Sequence, residues 1–145
     1  MNPVDERMIK FIREHHIFTL ATSNNNKPYT STCFYVYVES LNMFVFTSDK
    51  TTKHIMDVVD QSYVAGAIAL ETSVIGKIRG IQFTGEIKEL AGKELSTAKK
   101  AYLMKFPVAA LMKTTLWGIM PDFIKMTDNR LGFGKKLIWR LEETK

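Results

Sequence analysis

The residues best suited to chemistry gather in FVFTSDKTTKHI, positions 44–55, where a β-rich run gives way to a helical one. Thr47, Ser48 and Thr52 offer hydroxyls, Lys50 and Lys53 offer cations, and the turn leaves backbone amides free at the start of the helix. Hydroxyl donors, first-turn N–H groups and a positive charge are together what holds a phosphate. The same residue types also serve as plain helix caps, so residue chemistry alone leaves both readings open. His54 is in the same position: it can hydrogen-bond a ligand, or simply be solvated at a helix start.

Other reactive types are sparse. The single cysteine, Cys33, excludes an internal disulfide framework and a cysteine-based zinc site. Within TSTCFYVYV it reads as a small buried residue, because no His or Asp follows at a nucleophile-like spacing. His15 and His16 are adjacent, so they point to different faces and make a poor shared metal site. Gly132 and Gly134 lie in a turn-rich stretch without a dinucleotide or Walker pattern and suit backbone turns. Arg79 and Arg130 read as partners of surface acids, and Trp139 as a core or interface residue. Lys135 and Lys136 are weaker candidates for anion contacts from a partner subunit.

The elements that position these groups follow from periodicity. Asn2-Pro3 followed by Asp5-Glu6 predicts a helix start, with Val4, Met8, Phe11 and Ile12 on the packed face. From Ile17 the period becomes that of strands: 17–23, Tyr29–Val38 and Met43–Thr47, joined by polar turns as an antiparallel meander. A helix is expected over Lys53–Val59, with Ile55, Met56 and Val59 as its apolar side. Tyr63–Leu70 is almost wholly apolar and predicts a central strand covered on both faces. Lys77–Leu90 predicts a long strand whose Gly80 and Gly85 mark a bulge or a close approach. A helix over Glu94–Phe106 uses Leu95, Ala98, Tyr102 and Phe106, Pro107 breaks it, and a short helix continues over Val108–Lys113. Strands over Leu116–Met126 and Lys135–Leu141 complete the chain.

Composition sets the outer bounds. At 145 residues, 46% hydrophobic and 24% charged, the chain suits one domain over 1–145. The net charge of +5 is mildly basic, but the lysines are scattered rather than gathered into an arm that would bind nucleic acid. Apolar runs fall well short of the roughly 20 residues that span a bilayer. The N-terminus lacks a signal-peptide stretch, so the cytoplasm is the expected compartment.

The order of TLATSNNNKPYTSTCFYVYV, FVFTSDKTTKHI, VAGAIAL and IRGIQFTGEIKEL is similar to the pyridoxamine 5′-phosphate oxidase-like, FMN-binding split-barrel superfamily. KTTKH, IRGIQFTGEI, KKAY followed by FPVA, and IKMTDN with LGFGKK resemble one bacterial branch of small proteins within it. The resemblance implies a mainly β (α+β) fold, an antiparallel six-stranded split β-barrel with flanking helices. It also implies a homodimer with FMN in a groove at the subunit interface, and flavin-dependent oxidoreduction of a small substrate with NAD(P)H as a hydride source.

Carried over by position, Thr47, Ser48, Thr52 and Lys53 would contact the phosphate, with His54 beside them. Thr30, Ser31, Thr32 and Cys33 would pass beneath the flavin, and Gln82 would face the interface. The departures matter as well. Thr30–Val36 lacks the arginine and lysine of the oxidases, Gly80 stands at their glutamine and Gln82 at their arginine. Their C-terminal Arg-x-His motif is missing, which disfavours vitamin B6 oxidation and leaves Lys53 as the main source of phosphate charge. The alternative implied is a non-catalytic module that holds haem or flavin, with only His15, His16 and His54 as imidazole ligands.

Overall fold

The computed structural model describes residues 2–143. The chain opens with helix α1 (Glu6–Glu14), which Asp5 caps by accepting from the backbone N–H of Arg7 at 2.8 Å. The cap therefore lies three residues beyond the expected Asn2. Asn2 instead pins the N-terminus to the last strand, donating to the carbonyl of Arg140 and accepting from the indole N–H of Trp139.

Strands β1 (Ile17–Asn24) and β2 (Lys27–Phe34) form a hairpin. Its turn holds Asn25 and Asn26 at φ of 51° and 60°, as the twist of a two-residue hairpin requires. Then follow β3 (Val36–Val38), β4 (Met43–Ser48), α2 (Lys53–Asp60), β5 (Tyr63–Ala69) and β6 (Arg79–Glu89). Helix α3 (Gly92–Lys105) leads into a 3₁₀ turn at Pro107–Leu111, and β7 (Thr115–Asp128) and β8 (Lys136–Arg140) finish the sheet.

All eight strands belong to one antiparallel sheet, ordered β2-β1-β5-β6-β7-β4-β3, with β8 also paired to β7. This is the expected α+β barrel, with eight strands where six were expected. The expected meander keeps its antiparallel pairings, β1 with β2 and β3 with β4, but its middle strand is broken. The run Tyr29–Val38 divides at Tyr35, whose N–H binds the carbonyl of His16 and whose hydroxyl donates to that of Ile12. Its two halves, β2 and β3, lie at opposite ends of the strand order, which curls the sheet on itself.

The interior is aromatic. Phe18 packs against Tyr35, Phe44, Phe46 and Phe83, and the Phe44 and Phe83 rings stack at 4.2 Å. A smaller cluster under α3 unites Val36, Val38, Met43, Val45, Leu90, Ala98 and Tyr102. Gly85 marks the anticipated bulge: Thr84 faces Phe123 but Gly85 faces Pro121, so Asp122 is the extra residue. A Cβ at Gly85 would stand 2.2 Å from the carbonyl oxygen of Met120. The bulged Asp122 carboxylate accepts from the Tyr63 and Thr84 hydroxyls.

Two burial expectations are corrected. β5 alternates between buried and open positions, because at β5 only one side of the sheet is covered by this chain. In α2 the inward residues are Ile55, Asp57 and Val58, whereas Met56 and Val59 are exposed. The buried carboxylate of Asp57 explains the rotation of that helix, since its partner Thr22 on β1 lies beneath it.

Candidate cofactor site

The β4–α2 turn collects donors around Ser48. Its backbone carbonyl accepts from the Trp117 indole at 3.0 Å, which fixes the end of β4. Its Oγ lies 2.8 Å from Nε2 of His54 and 3.1 Å from Oγ1 of Thr52. Thr52 precedes α2 but makes no side-chain cap, because its hydroxyl donates to the carbonyl of Asp49. The first-turn amides of α2 thus lack a side-chain acceptor, which leaves the positive end of the helix open to an anion. Burial lowers the pKa of His54 below its ordinary 6.5, against a smaller opposing pull from Asp57.

Thr47 does not join this group. Neighbouring strand residues face opposite sides, and Thr47 Oγ1 lies 3.4 Å from the Tyr102 hydroxyl in a groove beneath α3.

Lys53 departs from the expectation placed on it. Its ammonium pairs with Asp57 one helical turn away and sits 5.2 Å over the Tyr29 ring. Asp57 is buried and also accepts from the Thr22 hydroxyl at 3.0 Å. The hydrogen bond from Lys53, more than any other contact, holds that carboxyl below its usual pKa. The charge expected to meet a phosphate is thus engaged by a buried carboxylate. This pair is an i,i+4 spacing on a helix and was open to inspection in the sequence. Thr22 and Trp117 carried no such signal, because only the tertiary fold brings them to α2 and its turn.

The remaining candidates follow strand alternation. Cys33 is buried in the core with Ser31 on the same side, their Sγ and Oγ 3.9 Å apart. Burial raises the pKa of the Cys33 thiol. Thr30 and Thr32 point to the uncovered face. There the registers align Thr32, Thr19, Ala67, Gln82, Lys125 and Ile138 in one row across the sheet. Thr30, Ala21, Ala65, Thr84 and Phe123 form the next row. The small side chains leave a shallow hollow of about 440 Å³ that includes Thr30 and Gln82.

The structure therefore brings together Ser48, Thr52 and His54 at the turn, and Thr30, Thr32 and Gln82 on the open face. Tyr29, which Lys53 meets, pairs with Thr22 and faces the core side of β2, so α2 packs on the side opposite Thr30 and Thr32.

No protein-family model matches the sequence. Among curated proteins, the chain is 37% identical over 131 residues to a UPF0306 protein of Klebsiella pneumoniae (strain 342), covering 90% of this chain and 89% of that one. The chain belongs to the UPF0306 family. It is also 37% identical over 139 residues to UPF0306 protein YpAngola_A4021 of Yersinia pestis, covering 95% of each.

Among solved structures, this UPF0306 chain superposes on the haem binding protein from Mycobacterium smegmatis with a TM-score of 0.77 at 16% identity. That match covers 94% of this chain but 59% of the other, so the chain spans little more than half of that protein. A NimC/NimA family protein from Clostridium acetobutylicum matches at TM-score 0.71 and 17% identity, covering 94% and 91%. A FAD-binding protein from Mesorhizobium loti matches at 0.69 and 12%, covering 85% and 94%. Identities this low establish the shared split-barrel fold of the UPF0306 chain. Among the described residues, no helix is long and apolar enough to cross a membrane.

Proposed function

We propose that this chain binds FMN as a homodimer and serves as a flavin-dependent oxidoreductase for a small substrate. The observation that carries the proposal is the uncapped start of α2. There Ser48, Thr52 and His54 are already gathered, and the sheet separately offers an open face floored by alanines. The hydroxyls and first-turn amides hold the phosphate, with Lys53 shared between it and Asp57. The hollow with Thr30 and Gln82 gives a flat group a floor, and a second copy laid over the same face closes it. Ser31 and Cys33 support that floor from the core side. Bound FMN supplies the hydride-accepting ring, while the protein binds, orients and shields it.

The test compares FMN with riboflavin, which lacks the phosphate, by absorbance and fluorescence titration. FMN should bind at least about ten-fold more tightly, and Thr52→Val should reduce that preference by weakening FMN alone. Equal affinity for the two flavins, or binding of neither, overturns the reading.

A second reading, a non-catalytic haem module, is favoured by the likeness to the haem binding protein of M. smegmatis. The imidazoles suit it less well. His15 Nδ1 is bound to the carbonyl of Phe11 at 2.7 Å and His54 Nε2 to Ser48. A haem titration of wild type and His54→Ala decides it: a Soret band that moves only in the wild type supports haem capture.

A further inference from the structure

Away from the open face, α1 and the adjoining ends of β6, β7 and β8 enclose a cleft of about 280 Å³. It is lined by Arg7, Lys10, Arg79 and Arg130 against only two carboxylates, Glu14 and Asp128. Most of these charges are already satisfied. Arg7 is held by Asp5, which accepts from its Nε at 3.0 Å and its Nη2 at 2.8 Å. Asp128 repeats the arrangement with Arg130, at 3.1 Å and 2.9 Å, and also accepts from the Arg130 backbone N–H. Oδ1 thus takes two bonds and Oδ2 one, and Asp128 meets Arg79 through charge alone, with no hydrogen bond between them.

Arg79 is not so provided. Its guanidinium stacks over the Phe11 ring at 5.5 Å, and its side chain is 19% exposed. Glu14 stands 3.9 Å from Nη1, beyond hydrogen-bond reach. The Nε is sealed from solvent without a hydrogen-bond partner. A buried, charged donor left unmade is costly, and a planar guanidinium is suited to an oxyanion presented edge-on. Lys10 adds a second cation that has no ion-pair partner among the described residues. The apolar wall of Phe11, Met126 and Leu137 leaves room for a short carbon body behind the anionic group.

We propose that this cleft binds a small organic oxyanion, a carboxylate or phosphate ester, with Arg79 as its anchor and Lys10 as its second contact. Arg79 and Gln82 are three residues apart on β6 and so face opposite sides of the sheet. The cleft is therefore separate from the cofactor reading, and either can fail without the other.

The test follows the Arg79 Nε–Hε resonance by NMR while the full chain is titrated with inorganic phosphate, with butanoate and with chloride at matched ionic strength. A saturable shift with phosphate or butanoate but not chloride supports the site, and the stronger of the two identifies the anionic group. Lys10→Gln, an exposed substitution, should weaken that binding by about ten-fold. Arg79→Lys keeps the charge but loses the planar fork and, followed through the backbone amides that line the cleft, should abolish the saturable shifts seen there in the wild type. A response that chloride reproduces, or phosphate shifts confined to the Ser48–His54 turn, overturns the proposal.

Discussion

Oγ of Ser48 and Nε2 of His54 stand 2.8 Å apart, a bond that spans the turn from the end of β4 into the first turn of α2. It ties the imidazole to the one residue whose backbone carbonyl is fixed by Trp117. The turn is thus held in shape by its own side-chain and backbone bonds, which lowers the ordering cost for an anion that docks there.

That bond has a pH signature. His54 is held below 6.5, chiefly by burial, so the unfolded chain takes up the proton first on acidification. Its contribution is fully present above 6.5 and declines from there as pH falls towards the folded pKa. Urea midpoints followed from about pH 7.5 to about pH 5 should show this slope in the wild type and lose it in His54→Gln.

Lys53 and Asp57 should behave as a unit. The folded pKa of Asp57 lies below 3.8, so its contribution is present above that value and disappears as pH falls through the folded one. Lys53→Ala leaves the buried carboxylate with Thr22 alone and should lower the urea midpoint at neutral pH. Adding Asp57→Asn should recover part of that loss. Strictly additive effects would mean that the pair does not couple.

Glycine substitutions distinguish the bulge from a free turn. Gly85→Ala drives a methyl into the Met120 carbonyl and should cost about 1–3 kcal/mol in urea unfolding. Gly76→Ala meets nothing within 4 Å and should change stability by less than about 0.5 kcal/mol. Similar losses at both positions would contradict the bulge assignment.

The open sheet face predicts the assembly. Ala67 lies exposed in the row between Thr19 and Gln82, where a charge would sit inside a proposed two-fold interface of roughly 800 Å² per partner. Ala67→Glu should convert a dimer to a monomer in sedimentation velocity and weaken FMN in parallel. A wild type that sediments as a monomer at all concentrations would remove the dimer from the reading.

Much of the architecture was legible in residue order. The period change at Ile17, the hairpin asparagines, the bulge at Gly85 and the break at Pro107 each have a local cause, and each appears in place. What escaped was pairing order. Alternation tells which residues share a face but not which strands adjoin, so the meander of 17–23, Tyr29–Val38 and Met43–Thr47 missed the break that sends β2 and β3 to opposite ends of the order. The candidate site divided for the same reason. Ser48, Thr52 and His54 are close in sequence and could be grouped, whereas the parting of Thr47 from Ser48 depends on α3 packing against one side of β4. The capture of Lys53 was encoded locally, at a helical spacing to Asp57, but weighing it required knowing that Asp57 is buried.

The division at Tyr35 bears on how the molecule opens. β2 and β3 are consecutive in the chain yet lie at the two extremes of the strand order, so the covalent backbone itself is the seam of the curled sheet. Neither end can peel away without drawing Tyr35, fully buried and bound to α1 through Ile12, out of the aromatic core. The backbone amide of Tyr35, bonded to the carbonyl of His16, should therefore exchange with deuterium only through global unfolding, while the tip of the β1–β2 hairpin frays freely.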